Sequence, residues 1–433
     1  MLVENAERPA MTEAAAHRAT FFRQSGWLMI ANIAAGFLMW GVHFLGRATG
    51  KSEYGLFGTL LTVVMLVPSV PLQMVLTHQT ARALATHRER ELAGIIRMIS
   101  FGLLALWGLA ALAVLLFQGW IMQLWGVTNP LALWLTLPTV LLSLCAPIFL
   151  GVLQGRQNFF WVGWSMLANG VGRLAVAAIA VLVLGAGAMG MMSGVLVGTA
   201  LMLGMAFWQA RSLWRLPPLP FDWPGLLRQV VPLLLGFLFV QFLFTGDTMF
   251  VKHYFTEDET GSYVSAGTLS RALIWLVFPL ATVMFPRIVH SAAKSEKTDL
   301  VGLVLLGTAV LAAGGAAGLA LLGPWVIKLV YGPSFVAVAA AVLPWYALAM
   351  VPLALANVLV NNLLARSQFR VVPFLLLLAL AYGGTLVWIN RHGHSLTAVL
   401  QTLGVFNLLL LAICAWFTWG TKQQAREALV VAE

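Results

Sequence analysis

Three charged side chains stand where charge is hardest to place. Asp247 interrupts FLFTGDTMFVK (Phe242 to Lys252), while Arg173 and Arg271 each fall inside a long apolar run. A charged residue at the centre of a bilayer costs roughly 2.5 to 3.5 kcal/mol on insertion scales, so each is a functional hypothesis by default. A guanidinium presents a planar fork that fits two oxygens of a phosphate or carboxylate. A lone acid can neutralise such a cation, or take up a proton or metal cation itself.

The elements that carry these residues follow from composition. The chain has 433 residues, of which 61% are hydrophobic and 9% charged, with mean hydropathy +0.90; soluble domains are roughly 25% charged. A spanning helix needs about 20 apolar residues. The runs divide into about twelve spans, near 26–46, 55–77, 98–119, 131–153, 160–184, 187–210, 229–251, 261–285, 300–323, 335–363, 371–390 and 397–419. This is the pattern of an all-α polytopic membrane protein. Residues 1–25 contain no apolar core of a cleaved signal peptide, so the first span is expected to do the targeting. Cys145 and Cys414 both lie inside spans, which leaves no disulfide framework.

Cytoplasmic loops retain Lys and Arg. With the amino terminus inside, the inner segments hold 18 such residues, among them Arg82, Arg88, Arg90, Arg97, Arg156, Arg211, Arg215, Arg228, Arg287, Lys294, Lys297, Arg366, Arg370, Lys422 and Arg426. The outer loops hold five: Arg47, Lys51, Lys252, Lys328 and Arg391. Both termini are therefore expected in the cytoplasm of a cell (inner) membrane protein. The net charge of +10 reflects this topology rather than nucleic-acid binding.

The sequence repeats at an offset of about 206 to 210 residues. EYGLFGTL (Glu53 to Leu60) matches ETGSYVSAGTL (Glu259 to Leu269), with Gly55 over Gly261 and Phe57 over Tyr263. LQGRQNF (Leu153 to Phe159) matches LLARSQF (Leu363 to Phe369), with Arg156 over Arg366. Six spans repeated in one orientation predict parallel repeats with a substrate cavity between them. The expected organisation is a cytoplasmic segment 1–25, a six-helix bundle 26–210, a Pro-rich cytoplasmic linker 211–228, a second bundle 229–419 and a tail 420–433. Pro68, Pro71, Pro138, Pro147, Pro279, Pro344 and Pro352 lie inside spans, as static kinks or as bending points. The small-residue spacings Gly190/Gly194/Gly198 and Gly314/Gly318 are expected to pack helices closely.

Polar residues recur on single helix faces. On span one Ser25, Asn32, Gly36, Trp40, His43 and Arg47 occupy a stripe about 80° wide at 100° per residue. Span five places Ser165, Asn169 and Arg173 in line, and span seven does the same with Gln241, Thr245 and Thr248. Asp247 falls about 100° round from Thr248 on a regular helix, off that face. Span eight carries Gly261, Ser265, Thr268 and Arg271 within an arc of about 120°. For the Ser and Thr residues the expectation is structural interhelical hydrogen bonding. At 1.5 Å per residue, Asp247 and Arg271 differ in depth by about 5 to 8 Å, within an arginine's reach if their faces converge. Whether Asp247 pairs with Arg271 or titrates stays open at this stage.

Other motifs fail. LGRATGKSE (Leu45 to Glu53) lacks the first glycine of a phosphate-binding P-loop and lies between two helices. His392 and His394 are two histidines without further ligands. No paired carboxylates or nucleophile constellation appears. A transporter is expected, not an enzyme, and no cofactor or metal; proton or sodium coupling is left open by Asp247.

GSYVSAGTLSRALIWLVFPLATVMFPRIV from Gly261, with the preceding GDTMFVKHYFTEDET, resembles the second-half signature of the Wzx-type polysaccharide and oligosaccharide-lipid flippases of the multidrug/oligosaccharidyl-lipid/polysaccharide (MOP) exporter superfamily. EYGLFGTL and LQGRQNF resemble the matching first-half elements. The resemblance implies two six-helix bundles forming a V-shaped, MATE-like cavity. Through it a polyprenyl-diphosphate-linked oligosaccharide would pass from the cytoplasmic to the outer leaflet by alternating access, for surface polysaccharide biosynthesis. The implied partners are the lipid-linked glycan, membrane lipid, a polysaccharide polymerase and a chain-length regulator. A cationic cavity maps onto Arg173, Arg271 and Arg47, with Asn32, His43, Asn169 and Gln241 as further substrate-binding candidates.

Two rivals sit in the same superfamily. Cation-coupled multidrug efflux needs acids in its cavity, yet the first half places none inside a span: Glu53, Glu89 and Glu91 are in loops. A lipid II flippase of peptidoglycan synthesis is a closer relative, with about fourteen spans expected of its members rather than twelve. A non-transporting scaffold is the third class.

Overall fold

The structure is a computed structural model that describes residues 26–127, 129–274, 300–365, 368–392 and 395–420. Ser25, Pro279, Arg287, Lys294, Lys297, Arg366, His394, Lys422 and Arg426 lie outside the described residues. All elements among the described residues are helical. Eleven helices are long and apolar enough to cross a membrane. The remaining expected span, 261–285, is helical over 257–274, and its remainder lies outside the described residues.

In chain order the helices are α1 (Gly26–Thr49), α2 (Lys51–Met65), α3 (Ser69–Ala85), α4 (Glu89–Leu116), α5 (Gln118–Trp125), α6 (Pro130–Gly155), α7 (Phe159–Leu182) and α8 (Gly187–Arg215). They continue with α9 (Trp223–Thr245), α10 (Asp247–Tyr254), α11 (257–274), α12 (Leu300–Val330), α13 (Val336–Ala365), α14 (Val372–His392) and α15 (Leu396–Ala415). The P-loop-like stretch is a helix-to-helix join at Gly50, whose φ of 81° suits a residue without Cβ.

Contacts divide the chain into two compact units. The first comprises residues up to Val42, Ser69–Leu116 and Leu133–Trp223; the second comprises His43–Pro68, Phe117–Ala132 and Pro224 onward. The divisions at Val42/His43, Pro68/Ser69 and Leu116/Phe117 fall at breaks in regular helix, whereas those at Ala132/Leu133 and Trp223/Pro224 fall in the first turns of α6 and α9. A 3-10 turn occupies Val42–Leu45 within α1, and the chain leaves helical geometry at Leu66–Pro68, where the Pro68 ring removes an amide donor. Of the other described span prolines, Pro71 sits in the first turn of α3, and Pro138, Pro147, Pro344 and Pro352 are held inside continuous helices.

In the first unit α7 lies along α8. Glycines permit this approach: a Cβ on Gly198 would stand 2.5 Å from the Asn169 carbonyl and 2.9 Å from Arg173 Cβ, and one on Gly190 would meet Ala180 at 3.0 Å. Gly314 and Gly318 on α12 behave otherwise, with open space where a side chain would go. There the packing falls to Ala312 and Ala316, which are buried on the opposite face. The residues joining α8 to α9 narrow to 216–222 and lie on the start of α4. The Arg97 guanidinium donates to the carbonyls of Trp214 and Leu216, at 2.5 and 2.9 Å.

In the second unit the repeat becomes a contact. A Cβ on Gly55 would sit 2.9 Å from the amide nitrogen of Gly261, and one on Gly261 would strike the Lys51 backbone. Gly58 meets Val264, related by the same offset of 206. Contact between equivalent residues is what a two-fold relation between helices produces. Lys51–Asp258 (3.3 Å) and a Ser52–Glu257 hydrogen bond close the ends of α2 and α11 beside this crossing. Lys252 is buried nearby, and burial pushes its ammonium below the ordinary lysine value against the pull of Glu257 and Glu53.

Overfilling a packed helix contact costs about 1 to 3 kcal/mol. Gly198→Leu should therefore lower the melting temperature of the purified protein, whereas Gly314→Leu should leave it unchanged in the same scan.

Candidate functional site

The charged centre of the second unit is built by an interruption. α9 ends at Thr245, Gly246 breaks the helix, and Asp247 opens α10. An acid in a first turn is favoured by the helix dipole. Asp247 and Thr248 are neighbours on α10, about 100° apart, and the long Arg271 side chain bonds both.

Arg271 Nη2 donates to Asp247 Oδ1 (3.0 Å), Asp247 Oδ2 (3.3 Å) and Thr248 Oγ1 (2.9 Å). Its Nε donates to the Phe244 carbonyl at 3.1 Å, one of the last carbonyls of α9 that lack helical partners. Asp247 is fully buried and Arg271 is 12% exposed. The hydroxyls of Tyr263 (2.6 Å) and Tyr346 (2.5 Å) also donate to Asp247 Oδ2. The Arg271 guanidinium lies 5.4 Å from the Tyr346 ring centre and 5.7 Å from that of Phe244. Arg271, Tyr263 and Tyr346 all donate to the carboxylate, while the buried Tyr382 hydroxyl has no hydrogen-bond partner among the described residues.

One turn earlier on α11, Thr268 joins a second polar group. Tyr54 Oη lies 3.3 Å from Thr268 Oγ1 and 2.8 Å from His43 Nδ1, and donates to Tyr331 Oη at 3.0 Å. The expected face of span eight thus has three uses: Gly261 admits α2, Thr268 meets Tyr54, and Arg271 holds Asp247. Ser265 turns back to its own helix, at 2.7 Å from the Ser262 carbonyl.

That pattern corrects the expectation for the hydroxyl residues. Ser165, Thr245 and Thr268 donate to carbonyls four residues earlier, at 2.7, 3.0 and 2.9 Å, rather than bridging helices. Thr248 and Thr268 are the ones that also meet a second helix here. Arg47 is exposed and lies along Gly332, whose added Cβ would be 3.4 Å from Arg47 Cγ. Asn32 is exposed and Gln241 partly so, and neither side chain hydrogen-bonds among the described residues.

The first unit holds the other arginine. Arg173 on α7 is partly buried, its Nε has no hydrogen-bond partner, and it makes no ion pair among the described residues. One turn before it, Asn169 sends Nδ2 toward the sulfurs of Met39 and Met202, both at 3.6 Å, while Oδ1 has no partner. Thioethers are weak acceptors. Arg173 Nε and Asn169 Nδ2 are therefore donors that their described neighbours leave unused or weakly used, suited to an oxyanion, whereas Asn169 Oδ1 is an acceptor that an O–H or N–H donor would fill.

Sequence reasoning missed the tyrosines. Of the six in the chain, Tyr54, Tyr263, Tyr331, Tyr346 and Tyr382 are buried, all in the second unit. A residue so scarce, yet repeatedly placed inside apolar spans, was the signal available. Among the described residues no group of three or more His, Cys, Asp or Glu side chains forms a metal cage.

The family model of the lipid II flippase MurJ matches residues 83–424. The chain belongs to this family. No curated protein sequence matches it. A solved structure of lipid II flippase MurJ in an inward closed conformation is similar at 16% identity, over 90% of this chain and 86% of that one, with TM-score 0.63. An inward-facing multidrug resistance MATE family transporter of the MOP superfamily matches at 12% identity, over 90% and 94% of the two chains, with TM-score 0.59. A Vibrio cholerae MATE transporter matches at 15% identity, over 96% and 98%, with TM-score 0.51. The fold is that of the MurJ and MATE transporters, as the sequence motifs imply. MurJ is a family of flippases, so the protein is a multi-pass membrane transporter rather than an enzyme.

Removing one partner of a buried ion pair costs about 3 to 5 kcal/mol, because the other charge is left uncompensated. Asp247→Leu should sharply lower the melting temperature, and Asp247→Leu with Arg271→Met should recover much of it. A double variant no more stable than Asp247→Leu would mean that Arg271 is not the charge Asp247 compensates.

Proposed function

We propose that the protein carries a polyprenyl-diphosphate-linked glycan from the cytoplasmic to the outer leaflet by alternating access, with lipid II as the first cargo to test. The observation that carries this reading is Arg173: a mid-span guanidinium with no acid partner among the described residues and an Asn169 amide one turn away. A diphosphate supplies the paired oxygens such a fork accepts. Family membership supports a lipid-linked cargo.

The acid inventory argues against cation-coupled drug efflux. Glu53, Glu89 and Glu91, expected in loops, stand in the first turns of α2 and α4; among the described residues Asp247 is the acid that is fully buried, and Arg271 and two tyrosines already occupy it. A drug cation would have to displace them. Moving negative head-group charge out of a negative interior gains about 2.3 kcal/mol per charge per 100 mV. The membrane potential is therefore a sufficient drive, and coupling to a proton or sodium ion is an addition to it. In this reading both termini are cytoplasmic, as the Lys/Arg asymmetry implies.

A second cargo, a surface-polysaccharide repeat unit, is favoured by one specific observation. Among the described residues, eleven helices long enough to span plus the 257–274 helix make twelve, fewer than the fourteen expected of a lipid II flippase. That cargo would bring a polysaccharide polymerase and a chain-length regulator as partners.

Proteoliposomes holding the purified protein and either lipid II or a peptide-free polyprenyl-diphosphate oligosaccharide test both readings. Transfer to the outer leaflet is expected for at least one, and the faster cargo identifies the role. Arg173→Ala should reduce that transfer at least tenfold with unchanged protein level. Transfer of neither lipid, or full transfer by Arg173→Ala, would sink the proposal.

A further inference from the structure

A groove of about 500 Å³ opens on the first unit, lined by Trp161 in the first turn of α7 and by Gly204, Met205, Trp208 and Gln209 on α8. Gly204 makes the room, since no atom lies within 4 Å of where its Cβ would be. Trp208 is 62% exposed. Arg211 stands at the rim, its Cζ 3.8 Å from the centre of the Trp208 ring, and its Nη1 donates to the Trp208 carbonyl at 3.2 Å.

We infer that this groove binds the headgroup of an anionic phospholipid, with Arg211 on the phosphate and Trp208 and Trp161 against the glycerol and upper acyl chains. Stacking fixes the plane of the guanidinium and leaves most of its N–H donors at the edge, the geometry that takes two phosphate oxygens. Arg211 makes no ion pair among the described residues. The neighbouring inner-end arginines are engaged otherwise: Arg97 on two carbonyls, Arg156 on Ser212 at 3.3 Å, Arg90 on the Pro217 carbonyl at 3.4 Å.

Depth agrees. Arg211 precedes the end of α8 by four residues, about 6 Å at 1.5 Å per residue. The Lys/Arg asymmetry assigns that end to the cytoplasmic side, whose leaflet carries anionic lipid. Tryptophan concentrates at that level because its ring is apolar and its N–H polar. Acyl chains alone would call for no cation, so charge complementarity selects a phospholipid headgroup. The inference does not depend on which glycan is carried.

The test is the melting temperature of the purified full chain in micelles supplemented with phosphatidylglycerol or phosphatidylcholine. Phosphatidylglycerol should raise it more than phosphatidylcholine. Arg211→Gln should lose at least half of that difference, Arg211→Lys should fall between, and Arg215→Gln, on the exposed last residue of α8, should keep it. Equal effects of the two lipids would make the groove an acyl-chain surface and overturn the proposal. So would equal losses in Arg211→Gln and Arg215→Gln, or the same rise from inorganic phosphate alone. If Arg211→Gln does not fold, Arg211→Lys decides, and an undiminished difference there overturns it.

Discussion

Burial of the Asp247–Arg271 pair is the constraint around which the second unit is arranged. Two ions taken out of water cost several kcal/mol each after relaxation, and mutual attraction offsets this only when the remaining lone pairs and protons are also satisfied. The local architecture meets that condition. Gly246 interrupts the helix so that Asp247 begins a new one, and Phe244 then has a carbonyl to offer Arg271. Tyr263 and Tyr346 fill Oδ2, and Thr248 takes a second bond from Nη2. α11 brings the arginine, and the same helix packs closely on α2 through the Gly55–Gly261 crossing.

The two arginines consequently differ in kind. Arg271 is neutralised and held by four partners, so it contributes a fixed dipole and a rigid joint more readily than a free positive charge. Arg173 has no such compensation among the described residues, and its buried Nε–H lacks an acceptor. Unpaired buried polar groups are expensive. They persist where a ligand completes them part of the time, which is the condition a carrier satisfies in each cycle.

Much of the fold was legible in the sequence because lipid solvation imposes a coarse, long-range pattern. Helix positions followed from apolar run lengths, and most ends moved by only a few residues. The repeat followed from matched glycines that prove to touch. The sites were less legible, for three physical reasons. Helical-wheel arithmetic puts Asp247 and Thr248 on different faces, but one long guanidinium side chain spans both. Small-residue spacing marks where backbones could approach, but Gly314 and Gly318 meet open space while Gly198 meets Asn169. Hydroxyl groups inside membranes have a carbonyl four residues back always within reach, so Ser165 and Thr245 need no second helix. The tyrosines escaped because nothing in their spacing announces a shared carboxylate.

The repeat itself shows how scaffold and chemistry separate. At an offset of 206 to 210, Arg173 corresponds to residues 379–383 and Arg271 to residues 61–65, and neither window contains a charged residue. Positions where helices must cross have kept their match, as with Gly55 and Gly261, because a two-fold arrangement constrains both members of the contact equally. The intramembrane arginines have not, although Arg156 and Arg366 outside the spans are matched. A cargo with a charged head and an apolar tail has no two-fold symmetry, so a site built for it gains nothing from symmetric charge. One half can then keep an arginine compensated for structure while the other keeps an arginine open to an anion.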